Sequence, residues 1–231
     1  MAIARDNFTT PQTVTSTLLP FSLSVSGSDR ILFVFGHDTT GASSTVTGVK
    51  ATKGGTLTAM IPGPIVRNPA TGRWITGWYM IAPDTGTNNI EVSSSTSQNL
   101  RFSAVSYTGV DQSSPIINTS SFADASSTTT ISNTIDTTGT DNCWMIMFSK
   151  DENGGFTWSS TTGDTMVYAS DPGGHAISET GAISPGASNT MTHSNGGTPS
   201  TNFKAISFAF KPVAAITASP YSPNLLLMGV G

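Results

Sequence analysis

Strand-length apolar runs recur along this chain, and no stretch repeats its apolar residues with the period of a helix. Two runs are continuous: Ile31-Leu32-Phe33-Val34-Phe35 and Trp144-Met145-Ile146-Met147-Phe148. Each suits a strand, and each is apolar on both sides, so each is expected at the centre of a covered sheet. A third segment, 99–107, carries two surfaces. Phe102, Ala104 and Ser106 face one way, and Val105 and Tyr107 the other. One face is small and the other large, as in a strand shared between a core and a second surface. Thr108-Gly109 ends it, and 111–115 reads as a tight polar turn. Composition points the same way. Charged residues make up only 10% of the chain, against about a quarter in ordinary domains. Their place is taken by Ser, Thr, Asn and Gly, which suit strands and turns rather than helices.

Further strands follow from alternation and punctuation. Residues 13–25 alternate, with Pro20 marking a bulge or an edge. Residues 45–49 and 56–61 are joined through Lys53-Gly54-Gly55, a hairpin signal. Pro62-Gly63-Pro64 ends the second of these. In 73–82, Trp74, Thr76 and Trp78 share one face, and Ile75, Gly77 and Tyr79 the other. Residues 89–94 form a half-exposed strand. The Ser/Thr-rich run to Thr130 reads equally as a linker or as the approach to a polar edge strand at 131–135. Residues 166–169 form a short strand, and 170–200 are expected as long loops with one or two weak strands. In 202–211, Phe203, Ala205, Ser207 and Ala209 oppose Lys204, Ile206, Phe208 and Phe210.

Strands never alternate with helices, so a parallel α/β fold is excluded. The expected fold is all-β: a two-sheet antiparallel β-sandwich, jelly-roll-like, with an extended N-terminal arm and C-terminal tail. A length of 231 residues suits one such domain. The division is an arm at 1–12, a sandwich at 13–211 and a proline-rich tail at 212–231. Pro212, Pro220 and Pro223 break regular structure in the tail, which ends in the apolar knot Leu225-Leu226-Leu227-Met228. That knot needs a groove, either on its own domain or on a neighbouring subunit.

The formal net charge is −4 and the ten Lys and Arg residues are scattered, leaving no electrostatic footprint for nucleic acid. No apolar stretch reaches the length of a membrane span. The N-terminus has no basic segment followed by an apolar run, so synthesis in a cytoplasm without a signal peptide is expected. Cys143, the single cysteine, lies in an apolar run and reads as a buried small hydrophobe.

The search for chemistry gives little. His37, His175 and His193 are far apart and form no zinc spacing. There is no phosphate-binding loop and no nucleophile elbow. Asp151-Glu152-Asn153 lacks the calcium-loop pattern and reads as a solvated turn, and His37-Asp38 as a polar strand end. No enzyme activity, cofactor or metal is expected. Trp78 and Trp144 belong to the core. Trp158, among Ser and Thr beside a Gly-Gly turn, is the aromatic expected at the surface, where it would stack on a sugar ring.

Four segments occur together in order: 27–34 (GSDRILFV), 46–49 with 55–58, 77–83 (GWYMIAP) with 86–90, and 104–115 (AVSYTGVDQSSP). In this order they resemble a family of β-sandwich proteins of tailed phages and prophages. The resemblance covers about residues 25–150 and transfers no catalytic residue. It implies a virion structural protein, in particular a capsid-decorating or head-attached protein. Its partners would be other virion subunits and further copies of itself, a trimer being one form, and its location the virion. The alternative is a carbohydrate-binding module of a tail or fibre that grips host glycans through Trp158 and the loops of 151–200.

Overall fold

The computed structural model describes residues 1–38, 45–67, 72–124, 128–152, 157–162, 164–170, 174–184, 188–197 and 202–214. The fold is all-β with antiparallel sheets. The first sheet takes β1 (Ala4–Phe8), β2 (Gln12–Val25), β3 (Ile31–Asp38), β4 (Val46–Lys53), β5 (Thr56–Ala59), β6 (Ile61–Arg67), β7 (Trp74–Ile81) and β8 (Gly86–Thr108). The remaining strands are β9 (Ile116–Asp124), β10 (Thr130–Ile135), β11 (Trp144–Asp151), β12 (Ser159–Ser160), β13 (Thr165–Ser170), β14 (His175–Glu179), β15 (Asn189–Ser194) and β16 (Phe203–Phe210). They form a five-stranded sheet in the order β13-β14-β11-β16-β9 and a three-stranded sheet in the order β10-β15-β12.

The first sheet curls nearly into a barrel. Its main path runs β5-β4-β8-β3-β7-β6, so β5 and β6 stand at opposite ends, yet Met60 alone separates them in sequence. A single residue cannot bridge a flat six-strand width, so the two ends must come round to meet. β8 carries the curl. β2 follows it from Phe102 down to Gly86, β3 pairs with its second half and β4 with part of its first. At Gly54 and Gly55 both φ angles are positive, 63° and 73°, as a two-residue type I′ hairpin requires. The Asp84 carboxylate accepts both glycine N–H groups, at 2.8 and 2.7 Å.

Alternation then sorts the side chains into three cores. Leu32, Val34, Trp74, Met80, Phe102 and Ala104 point into the curled sheet with Leu19, Val49, Ile90 and Val92. The opposite faces of the same strands carry Phe33, Phe35, Ile75, Val105 and Tyr107, which meet Ile146, Phe148, Ile177, Ile206, Phe208 and Phe210 of the five-stranded sheet. The other face of that sheet gives Met145, Met147, Ala176, Phe203, Ala205 and Ala209 to a third core, with Ile131, Ile135 and Met191 of the three-stranded sheet. The five-stranded sheet is therefore the middle of three layers. These face assignments agree with those read from alternation at 73–82, 99–107 and 202–211.

Several elements differ from expectation. Residues 4–8, within the expected arm, are a strand paired with β8, and Ile3 is buried. The separate strands at 89–94 and 99–107 are one strand, because β2 runs alongside both. Pro62 and Pro64 do not end pairing: β6 lies at the sheet's end, where a missing donor costs no ladder bond. β9 uses the Ser/Thr run as an edge strand, and β10 is one of the two edges of the three-stranded sheet.

Candidate functional site

Where β3 and β11 end and β14 and β16 begin, the aromatic core between the first two layers gives way to charge. Lys150 stands directly opposite both His175 and Lys204 in the ladder. From the facing sheet come His37, its register partner Arg101, and Ser103. Lys150 and Lys204 are 5% and 1% exposed, and both histidines are fully buried. The His37 and His175 ring centroids are 5.5 Å apart, and Phe148 packs on both. His37 Nδ1 lies 3.2 Å from the Asp38 carbonyl oxygen, so this nitrogen carries the proton and donates. His175 Nε2 shares a hydrogen bond of 3.0 Å with Ser103 Oγ. The other ring nitrogens, His37 Nε2 and His175 Nδ1, are buried with no hydrogen-bond partner among the described residues.

Burial holds both imidazoles well below their ordinary range, and the nearby charges of Lys150 and Arg101 push the same way. Burial also lowers Lys150 to about 7, with the neighbouring Lys204 charge adding to it. Lys204 is lowered by burial and supported by Glu152, to whose Oε1 its Nζ donates. Arg73 lies 3.7 Å from the other Glu152 oxygen, and Asp38 Oδ1 accepts the Trp74 N–H at 3.0 Å. Asp151 and Glu152 are thus buried, as is the His37-Asp38 strand end. The expectation of a solvated turn is corrected: Lys204 and Arg73 reach Glu152 across the layer, and Asn195 holds Asp151. Asn153 lies outside the described residues, and the polar strand end His37-Asp38 is enclosed.

A second polar group lies on the far face of the five-stranded sheet. His193 bridges Ser149 and Ser178, each at 2.6 Å, and burial lowers it to about 3. Asn195 donates to Asp151 Oδ2 at 3.2 Å. At the opposite end of the aromatic core, the Tyr107 hydroxyl donates to Glu179 at 2.5 Å and Arg5 donates to the same carboxylate at 3.0 Å.

Trp158 is only 2% exposed. Its ring packs against His193 and Phe203 at 5.9 and 5.6 Å, so the expected surface stacking face is inside the third core. Cys143 is buried, and burial raises its thiol. Leu225, Leu226, Leu227 and Met228 lie outside the described residues. Among the described residues no group of three His, Cys, Asp or Glu is placed to hold a metal ion. No described helix is long and apolar enough to cross a membrane.

Sequence reasoning missed this cluster because no two of its strands are close in the chain. The available signals were Lys150 and Lys204, each attached to an apolar strand, and the ionisable pairs His37-Asp38 and Asp151-Glu152 at strand ends. Among the described residues, surface cavities lie elsewhere. One of about 380 Å³ is lined by Met1, Ile3, Trp144, Ala182, Pro212 and Val213, and is mainly apolar. A shallower one of about 370 Å³ lies between Phe21, Leu57 and Glu91. No protein-family model matches the chain, and neither does any curated protein.

Proposed function

We propose that this chain is a structural protein of a tailed-phage particle, decorating or attached to the capsid and binding other virion subunits as a homo-oligomer. In this reading it acts by mass and shape rather than by catalysis, and its layering is a variant of the jelly-roll-like sandwich. The observation that carries the reading is the apolar cavity at the root of the C-terminal segment. Pro212 and Val213 line it, the Val213 N–H donates to the Gly109 carbonyl at 2.9 Å, and the last described residue follows at Ala214. Leu225-Leu226-Leu227-Met228 are still to come in the sequence. An apolar end on a segment rich in proline suits docking on a neighbour, where each buried Å² contributes about 25 cal/mol.

The buried cluster fits the same reading. Lys150, Lys204, His37 and His175 are enclosed between layers, so they serve the body of the protein and not a passing substrate. The test is mass spectrometry of purified particles carrying either the full chain or one truncated after Ala214. The full chain is expected in many copies and the truncated one is expected to be depleted. Full occupancy by the truncated chain would overturn docking by the tail, and absence of both from particles would overturn the whole reading.

A further inference from the structure

Lys204 and Glu152 sit in an arrangement that an ordinary ion pair does not require. In the antiparallel ladder Lys204 is opposite Lys150, which places Glu152, two residues on, diagonally across on the same face and within reach of a long side chain. Both side chains are almost fully enclosed, at 1% and 3% exposure. Two lysines directly opposite each other on a buried face repel if both are charged. Loss of charge at one of them relieves this. Lys150 Nζ is taken up by the Asp151 carbonyl oxygen, and Lys204 Nζ by Glu152.

We propose that Lys204 and Glu152 condense into an internal amide that staples β11 to β16. The Lys204 ammonium first passes a proton to the Glu152 carboxylate, leaving a neutral amine and a neutral acid. Burial lowers Lys204, which eases the loss of its proton. The amine nitrogen then attacks Glu152 Cδ. A C–N bond forms and one C–O bond breaks. The departing oxygen leaves as water, carrying one hydrogen from the acid and one from the amine. Nothing is oxidised or reduced.

Neighbouring groups suit each step. The Arg73 guanidinium, 3.7 Å from Glu152 Oε2, faces the oxygen that becomes negative in the tetrahedral intermediate. Asp38 is a second carboxylate whose charge acts on Lys204. Holding amine and acid together at a site from which water is expelled replaces the large dilution penalty of the reaction in solution.

The test is the intact mass of the denatured full-length chain, followed by peptide mapping. The expected result is a chain lighter than its sequence mass by one water. Trypsin should fail to cut at Lys204. Because no Lys or Arg lies between Glu152 and Lys204, chymotrypsin, which cuts after Phe156, Trp158 and Phe203, should then release one cross-linked peptide joining the segment of Glu152 to that of Lys204. Lys204→Arg keeps the positive charge but removes the attacking amine, and should restore the full mass. A wild-type chain of full sequence mass overturns the proposal and leaves a plain buried ion pair, as does a deficit that maps elsewhere or survives Lys204→Arg. The wild-type mass and map decide the matter even if the variant does not fold. Occupancy of particles is a separate readout, unaffected by this outcome.

Discussion

The middle sheet is covered differently on its two faces, although the same strands supply both. Toward the curled sheet, β11 and β16 offer Ile146, Phe148, Ile206, Phe208 and Phe210. Toward the three-stranded sheet they offer Met145, Met147, Ala205 and Ala209, with Phe203 as the large ring. On the first face Phe208 meets Phe33, Phe35 and Tyr79 at centroid distances of 5.2 to 6.1 Å. It fits because Gly63 and Gly77 lie beneath it, where an added Cβ would come within 2.2 and 2.8 Å of the ring. The second face is held in part by polar bonds, from His193 to two serines and from Asn133 to Ser207. Large rings bury more apolar area than alanine and gain more per contact. The curled sheet is therefore the stronger cover and the three-stranded sheet the weaker.

Acid should give the largest effect and the sharpest test of that difference. All three histidines are buried, and their folded-state values lie below the ordinary 6.5. The unfolded chain therefore binds protons first as pH falls. The stability they contribute is complete above about pH 6.5 and is lost as pH drops toward the folded values, about 3 for His193. Between about pH 7.5 and 5 the expected loss from His193 is ~2 kcal/mol, and His37 and His175 add to it in the same direction. Glu179 and Asp164, raised by burial, bind protons first in the folded state and offset part of this at the low end. Urea midpoints across that range measure the loss. Hydrogen exchange at pH 5 then locates it: amides of β10 and β15 are expected to open before those of β3. Simultaneous opening would break the contrast between the two faces.

Single substitutions come next. Phe208→Ala should cost about 3–5 kcal/mol, since the ring leaves a cavity between two glycines that cannot fill it. Met191→Ala, on the weaker cover, should cost about 2–3 kcal/mol. Denaturant melts of the pair test the ranking directly, and a larger loss at Met191 would reverse it. Thr190→Ala removes a hydroxyl pair of 2.7 Å with Thr134 on the exposed side of β10 and β15. It should change stability by at most about 0.5 kcal/mol in the same melts.

The strands with clear alternation were readable from sequence down to the face each side chain occupies, as at Trp74, Phe102 and Phe208. Alternation needs only local pattern, and the pleat does the rest. The fully buried strand β14 was not readable. His175-Ala176-Ile177-Ser178-Glu179 looks polar, and it is buried because Ser103, His193 and Tyr107 supply partners from distant strands. Trp158 failed for the same reason: its Ser and Thr neighbours in sequence say nothing about Phe203 and His193, which cover it. The charged cluster was invisible because its pieces, His37-Asp38, Arg101, Lys150-Asp151-Glu152, His175 and Lys204, lie in segments far apart in sequence that only the ladder and the layer packing bring together.

β8 has one further consequence for how this chain tolerates change. Opposite Ser16 and Leu18 of β2 it takes five steps, from Gln98 to Ser93, where β2 takes two. Ser94 and Ser95 are held by Val46 and Thr45, so the slack in this otherwise taut line falls at residues 96–97. Lengthening or shortening the chain by one residue there can be absorbed without disturbing either half. The same deletion at Ser103 would turn Phe102 or Val105 inside out and exchange the linings of two cores. Variation in length is therefore to be sought at 96–97, while the segment beyond it should hold its length fixed.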